Sequence, residues 1–474
     1  MGKSESRMTS FNHRMKKNHK NIVRIIQGLT VFSLVLTGSL KAQEKITLQQ
    51  AVEEALENNV QIKQAQLNAA LSEENLTESK LARLPTLNAG SSLNFNFGRS
   101  VDPFSYQFVN QQITSSNGSI YTSIPLFQGG LLHQQILQNK YLLEADKSTV
   151  QKTRNDLSLN VVTSYLAILN NQDLLTAAKQ QLEIARQQLN RVQKQYEAGG
   201  KTLADLAQIQ AQVAASELNV TNAQNQLDLS YLDLSQLMER DPASEFEIVR
   251  PLIDEENQVN SAYSAAEVYS QAVQQYPDIK AMEYQRLAAE RGVSAAKSSL
   301  YPRLSFQGSA ASGYSSRGQH IIGVDDNGPI YGKSDFGSQL SENFNQTIGF
   351  SLSIPIFNGS SSRIGVRRAK IRYQNAEYAE VLAKNNLNKV INQAVLDLKA
   401  AEKRYYSAKS AYESSKTAFY AIEQRYNVGL VNSLDYNQSQ TDLNQAEFDV
   451  IQAKYDLIFR SKVIDFYLGN PLTF

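Results

Sequence analysis

The stretch Thr347-Ile348-Gly349-Phe350-Ser351-Leu352-Ser353-Ile354-Pro355-Ile356-Phe357-Asn358-Gly359 changes character along its length. Ile348, Phe350, Leu352, Ile354 and Ile356 alternate with Thr347, Gly349, Ser351, Ser353 and Pro355. An extended chain there has one apolar face and one small, polar face. Past Gly359 the period lengthens. Tyr405, Tyr412, Phe419 and Tyr426 recur every seven residues, beside Ala408, Ser415 and Ile422, and no proline interrupts 356–470. A two-faced strand therefore runs straight into a coiled-coil seam.

The same junction occurs earlier. Ile124-Pro125-Leu126-Phe127-Gln128-Gly129 stands 230 residues before Ile354-Pro355-Ile356-Phe357-Asn358-Gly359, and Tyr196-Glu197-Ala198-Gly199 stands 230 before Tyr426-Asn427-Val428-Gly429. Upstream, Ile62-Lys63 and Leu84-Pro85-Thr86-Leu87 recur 217 residues on as Ile279-Lys280 and Tyr301-Pro302-Arg303-Leu304. Four landmarks in order and spacing mean an internal duplication. The 13-residue difference is an insertion between the strands of the second copy.

Each copy reads as helix, strand pair, long helical hairpin. Ile46 to Ala82 and Ser261 to Leu300 are helical, broken near Asn58-Asn59 and at Pro277. Leu87, Ala89, Ser91, Leu93, Phe95 and Phe97 alternate with Asn88, Gly90, Ser92, Asn94, Asn96 and Gly98. Ile120–Phe127 and Leu304–Tyr314 alternate less clearly. Loops are expected at about 99–116 and 316–342. Leu175, Leu182, Leu189 and Tyr196 carry the first seam, with Ala178, Ala185 and Val192. Leu206, Val213, Val220, Leu227, Leu234 and Tyr436, Leu443, Val450, Leu457, Ile464 carry the return helices. A helix from Leu131 to Tyr196 spans ~100 Å at 1.5 Å per residue. The expected division is a signal peptide at 1–42, first-copy helices at 43–84, a strand pair at 85–127 and a hairpin at 128–240. A linker follows at 241–260, then second-copy helices at 261–301, a strand pair at 302–357 and a hairpin with the C-terminal end at 358–474.

Composition sets the compartment. Residues 1–42 hold eight Lys/Arg and one acid; the rest holds 39 bases and 45 acids. Lys16, Lys17, Lys20 and Arg24 precede a short apolar run from Ile25 to Leu36 and small residues up to Ala42, the pattern of a secretory signal peptide cleaved there. A mature net charge of −6 does not suit phosphate neutralisation, so nucleic acid is not an expected partner. The absence of Cys excludes disulfides, thiol nucleophiles and a lipidated N-terminal cysteine. No later segment is apolar enough for a spanning helix, so any membrane span must be made of strands. Four strands cannot close a barrel, since the smallest membrane barrels have about eight, and open edges are not tolerated in lipid. Copies of the chain pooling their strands around an axis satisfy both constraints.

Taken together, these landmarks resemble the TolC-like outer-membrane efflux protein family along essentially the whole mature chain. The resemblance rests on Ile46-Thr47-Leu48-Gln49-Gln50-Ala51, Leu56-Glu57-Asn58-Asn59, Ala82-Arg83-Leu84-Pro85, the two strand exits, and the tips Tyr196–Asp205 and Tyr426–Asp435. It implies an α+β membrane protein. A homotrimer would build a twelve-stranded transmembrane β-barrel in the cell outer membrane, above a periplasmic α-helical barrel with a mixed equatorial region. It also implies an exit duct serving a periplasmic adaptor and an inner-membrane pump, in a tripartite efflux or type I secretion system. Here Val60 stands where the family usually has proline. On this reading Leu93, Phe95, Phe350 and Leu352 face lipid, while Asn94, Asn96, Thr347 and Ser351 face the lumen. Gly199, Val428, Gly429 and Leu430 sit at adaptor-docking tips. The resemblance further places Tyr196 and Lys201 as a latch on Asp435, with Asp205 and Gln208 at pore-lining positions.

Other chemistry finds less support. Gly199-Gly200-Lys201-Thr202 lacks the earlier glycine of a phosphate loop and lies between helices. His133 and His320 are isolated. Asp325-Asp326-Asn327-Gly328 lacks calcium-loop spacing and reads as a turn. Phe95, Phe97, Tyr106 and Phe108 near one strand end, with Phe127 and Phe357 near the other, fit aromatic girdles and ordinary strand packing equally well. No nucleophile has a base nearby, and no cofactor or metal is expected; the chain does not read as an enzyme.

Overall fold

The computed structural model describes residues 44–101, 106, 108–110, 112–241, 246–251, 263–326 and 328–472. The signal-peptide reading at 1–42 and most of the linker at 241–260 lie outside these residues.

The first copy opens with β1 (Glu44–Ile46), α1 (Leu48–Asn58) and α2 (Val60–Leu81). Ile46 is thus the end of a strand and not the start of a helix. It is held by parallel pairing of β1 with β6 (Phe246–Ile248). Thr47 starts α1 with a capping box to Gln50. The break at Asn59 is a change of partner: its side chain accepts from the N–H groups of Gln61 and Ile62 and starts α2. In the second copy α5 (Ala265–Gln275) stops before Pro277, which occupies the first turn of α6 (Pro277–Lys297), where its missing N–H costs no helical bond.

The strands are β2 (Thr86–Asn96), β3 (Arg99–Val101), β4 (Phe108–Asn110) and β5 (Ile113–Phe127) in the first copy. The second copy has β7 (Arg303–Ser315), β8 (Gln319–Asp325), β9 (Gly328–Lys333) and β10 (Asn345–Ser353), with a short helix α7 (Phe336–Glu342) before β10. The expected loops therefore carry structure. β3 pairs with β4 and β8 with β9, and β5 begins at Ile113, well before Ile120. β10 ends at Ser353, so Ile354 and Ile356 lie beyond the strand they were expected to extend. The main sheet is antiparallel, in the order β2-β5-β7-β10.

Four helices complete the hairpins. α3 (Leu131–Glu197) and α8 (Ser361–Asn427) have 67 residues each, about 100 Å. α4 (Leu203–Leu237) and α9 (Ser433–Leu468) return along them. Leu175, Ala178, Ala185 and Val192 are buried, as the seven-residue spacing requires, Leu175 in one core with Leu227 of α4 and Val192 in another with Leu206 and Ile209; Tyr196, expected to continue the seam, is exposed at the end of the helix. One core lies at the waist, where Val161, Tyr165, Ile168 and Leu169 of α3 meet Leu234, Ile46, Ala51 and Ala55. A second gathers Val268 and Ala272 of α5 with Leu387, Ile391 and Leu398 of α8 and Ile464 of α9. Tyr165 joins the layers: its hydroxyl donates to the Val249 carbonyl and lies 3.2 Å from that of Ile46. Arg240 clamps the β1 end of the waist to Glu54 and, at 2.9 Å, to Glu44.

Candidate functional site

Two regions hold the residues that sequence reading singles out: the four-stranded sheet and the hairpin tips.

In the sheet, cross-strand partners share a face. The row Leu87, Thr122, Gly308, Ile348 links all four strands, and its face carries Leu93, Phe95, Phe350 and Leu352. Phe306 meets Phe350 there edge to face, ring centroids 5.5 Å apart. The alternate row Asn88, Tyr121, Ser309, Thr347 brings Asn94, Asn96, Thr347 and Ser351 to the opposite face. That face is Asn, Ser, Gly and Thr with a few larger residues. Among all residues of the four strands only Arg303 is charged. Apart from buried Ile113, Ser115 and Ser315 at one end of β5 and β7, both faces are largely open to solvent in the protomer, and the outer edges of β2 and β10 have no strand partner among the described residues. Phe97, Tyr106 and Phe108 at one end, and Phe127 and Phe357 at the other, are exposed.

The upper edge of β7, beyond the reach of β10, is covered from within the chain. Buried Gln339 of α7 accepts from the Ser315 N–H at 2.8 Å and donates to the Ser315 carbonyl at 3.0 Å, imitating a neighbouring strand. Asn343 donates to the Gly313 carbonyl at 2.8 Å. This device is invisible in the sequence except as the 13-residue insertion.

At the tips the two copies fold alike. Gly199 and Gly429 both take φ +76° and close Schellman motifs: Gly200 N–H to Gln195 carbonyl at 2.7 Å, Leu430 N–H to Arg425 carbonyl at 2.9 Å. The Gly-Gly-Lys-Thr run is this turn, with Thr202 capping α4. Val428, Leu430, Leu203 and Leu434 are exposed around the turns.

Contacts between the tips differ from the expected latch. Within the protomer no ion pair joins Lys201 to Asp435 among the described residues. The Lys201 ammonium lies over the Tyr426 ring, 5.2 Å from its centre. Tyr426 stacks on Tyr436 at 4.6 Å. Asp435 takes part in its own helix start, where its N–H donates to Asn432 Oδ1 at 2.9 Å. Asp205 forms the polar link, accepting from Ser433 Oγ at 2.9 Å. Hydrogen bonds from Thr202, first its side chain and then its backbone, together with Ser433, hold the Asp205 carboxyl below the usual carboxylate range. Tyr196 and Gln208 are exposed. Arg191 of α3 donates to Asn427 Oδ1 at 2.7 Å, a further bridge between the hairpins. Ser433 and Tyr426 are the residues that sequence reading did not assign to the tip contact. The signal was available in the repeat, since Ser433 replaces the apolar Leu203 of the first copy.

The described residues include no group of three or more His, Asp or Glu placed to hold a metal. No described helix is long and apolar enough to cross a membrane. A cavity of about 720 Å³ at the waist is lined by Leu48, Val52, Glu53, Tyr165 and Phe466 among others.

The sequence pattern of the outer membrane efflux protein family matches residues 51–239 and 268–470. Outer membrane protein TolC of Escherichia coli is 23% identical over 426 residues, covering 89% of this chain and 81% of its own. Outer membrane efflux protein BepC of Brucella suis is 21% identical over 412 residues, covering 86% and 81%. Among solved structures, the Campylobacter jejuni CmeC outer membrane channel superposes with a TM-score of 0.74 at 18% identity, covering 89% of this chain and 85% of that one. The Neisseria gonorrhoeae MtrE outer membrane channel in its open state gives 0.67 at 19% identity, covering 90% and 89%. At these identities the superpositions establish the fold.

Proposed function

Since the chain belongs to the outer membrane efflux protein family, we propose that it is the outer-membrane exit duct of a tripartite efflux or secretion system. Three copies pool their strands into a twelve-stranded barrel, and cargo passes passively through it. The observation that carries this reading is the main sheet: one mostly apolar face, one polar face whose single charge is Arg303 at the strand end, and two outer edges unpaired among the described residues. In lipid every backbone group on those edges needs a partner, and a copy of the same sheet supplies it. Leu93, Phe95, Phe350 and Leu352 then face lipid, and Asn94, Asn96, Thr347 and Ser351 line water. The exposed aromatics at both strand ends take the level of the headgroups.

The long hairpins reach into the periplasm. Their tips, with Gly199, Val428, Gly429 and Leu430, meet the hairpins of a periplasmic adaptor, which couples the duct to an inner-membrane pump. Exposed Val428 and Leu430 beside a glycine turn support that role. The tips also gate the tunnel. Lys201, Asp205, Tyr426 and Ser433 hold the two hairpins of one protomer together, while Tyr196, Gln208 and Asp435 remain exposed, available to the next. An exposed charge pair contributes only about 0.2–1 kcal/mol, so three symmetry-related tips give a bias that docking can overcome.

Efflux assays with Gly429→Asp test the docking role. The variant is expected to insert and assemble normally while efflux is lost, and to recover efflux with a compensating adaptor change. Wild-type efflux from the variant would end that assignment. Membrane fractionation followed by recording from purified protein in planar bilayers tests the duct itself.

A further inference from the structure

The helices beneath the sheet lie side by side in the order α2, α3, α6, α8, repeating the strand order β2, β5, β7, β10 above them. Four strand-to-helix junctions therefore stand at one level: residues 79–86, 125–143, 291–304 and 353–376. Together they hold eleven Lys and Arg and no Asp or Glu. In a chain with 47 basic and 46 acidic residues, that segregation is local. At the upper rim of the junctions the strand ends leave Leu84, Phe127, Tyr301, Ile356 and Phe357 exposed. An apolar belt thus rests on a basic one.

Chirality decides which side of the helices carries the cations. Ser315 has its side chain on the polar sheet face, while its N–H and carbonyl turn to Gln339 on the β10 side. For L-residues on a strand rising from the helices, this sets β10 to the left of β7 when viewed from the apolar face. α8 therefore descends to the left of α6. Ser362 and Glu380 of α8 meet Ser299 and Arg286 across that contact. A right-handed helix then carries Arg363 and Lys370, about a quarter-turn on, to the apolar-face side, and Arg368 and Arg372 to the polar-face side. The same construction puts Lys80 of α2, Lys140 of α3 and Lys297 of α6 on the apolar-face side. Lys80 and Lys297 are 217 residues apart, and Lys140 and Lys370 are 230 apart, so the duplication sets one lysine per helix at equivalent positions. All five cations are exposed, and none forms an ion pair among the described residues.

The helix starts add to the charge. α3 and α8 begin at Gly130 and Ser360, both left-handed and both without a side-chain cap. A helix start is positive by its own dipole and favours an anion; the first turns of α8 bring cations instead. An anion from outside the chain satisfies both, and the apolar belt above requires that its carrier be apolar. We propose that the collar of Lys80, Lys140, Lys297, Arg363 and Lys370 binds the headgroups of anionic phospholipid in the leaflet next to the helices, with acyl chains against Phe127, Ile356 and Phe357. This rests on the reading of the sheet as membrane-spanning. A zwitterionic lipid carries its own ammonium beside the phosphate and gains less from the collar.

Native mass spectrometry tests it, with the purified protein in detergent titrated with phosphatidylglycerol or with phosphatidylcholine of the same acyl chains. The wild type is expected to retain phosphatidylglycerol in preference, and to lose that preference as salt rises. Lys80→Gln, Lys140→Gln, Lys297→Gln, Arg363→Gln and Lys370→Gln together are expected to cut the retention by about tenfold or more. Arg368→Gln with Arg372→Gln, on the other side of α8, is expected to leave it unchanged. A wild-type protein that inserts into phosphatidylcholine vesicles yet shows no preference in the titration would overturn the collar and leave the membrane reading standing. A protein that inserts into no vesicle would remove that reading, and the collar with it. Loss of the preference in the control pair, with the five-residue variant unaffected, would contradict the assigned side. A wild-type preference that is the same at low and high salt would contradict the collar without any variant having to fold.

Discussion

At the scale of single residues, Tyr165 and Asp205 show how much depends on one polar atom. Tyr165 is buried in the waist core, and its hydroxyl serves strand backbone from a helix. Burial pushes its phenol up to about 12, so it stays protonated and donating throughout the physiological range. Tyr165→Phe keeps the ring and strands the Val249 carbonyl, while that of Ile46 keeps the Val249 N–H at 2.9 Å. It is expected to destabilise the fold by about 1–3 kcal/mol, the cost of a buried group left without its partner, seen as a lower midpoint in denaturant. A midpoint equal to the parent's would mean that water replaces the hydroxyl. Asp205 is half-buried, and its lowered pKa comes from hydrogen bonds to the charged form, Thr202 first. The sign follows: a carboxylate depressed in the folded state contributes above the ordinary carboxylate pKa, and that contribution fades as pH falls through the lowered value. The tip link to Ser433 is therefore intact at neutral pH and weakens only in strong acid. Conductance of the isolated duct is expected to rise there, and Asp205→Asn to flatten that dependence. The same acid response in both proteins would move the gate elsewhere.

At the scale of elements, legibility followed chemistry. The long hairpins could be read almost to the residue, because the seven-residue spacing of Leu175, Ala178, Ala185 and Val192 leaves a helix no other way to bury them. The glycine turns were legible for the same reason, since φ +76° at Gly199 and Gly429 suits little else. The strand ends were less so. Ile113 to Ser119 is mostly Ser, Thr, Asn and Gly, with no alternation to mark it, yet it pairs along its length with β2 and β7. Pro355 and the turn at Asn358-Gly359 end β10 early despite the continuing alternation at Ile354 and Ile356. The contacts within one protomer's tips were not legible, because a sequence offset cannot say which of two similar tips supplies each partner: Lys201 meets an aromatic face and Asp205 meets Ser433. The two sheet faces make their own prediction. An arginine on the lipid face near the membrane midplane costs about 2–4 kcal/mol, and on a lumen face little. Phe350→Arg is expected to reduce assembled protein in outer-membrane fractions, and Ser351→Arg to leave it near the parent level. Equal tolerance of the two would reverse or abolish the facing.

At the scale of the whole molecule, the protomer is incomplete in a consistent way. Among the described residues its sheet lacks partners on the outer edges of β2 and β10, its helical layer on the outer sides of α2 and α8, and these bare edges stack one above the other. The apolar residues left bare, from Phe350 and Leu352 in the sheet to Leu67, Ile371 and Tyr378 below it, are those a lone soluble protein would cover. On the proposed trimeric reading, lipid covers the first group and neighbouring copies the second. The Arg240 clamp and the Tyr165 junction hold the waist, where strand and helix layers meet. The link from copy to duct is the central claim, and single-channel recording of the purified wild-type protein in a planar lipid bilayer tests it most directly. The account predicts discrete steps of ion conductance, carried by a species that migrates as a trimer. A folded, membrane-inserted trimer that passes no current at any voltage or pH would contradict it.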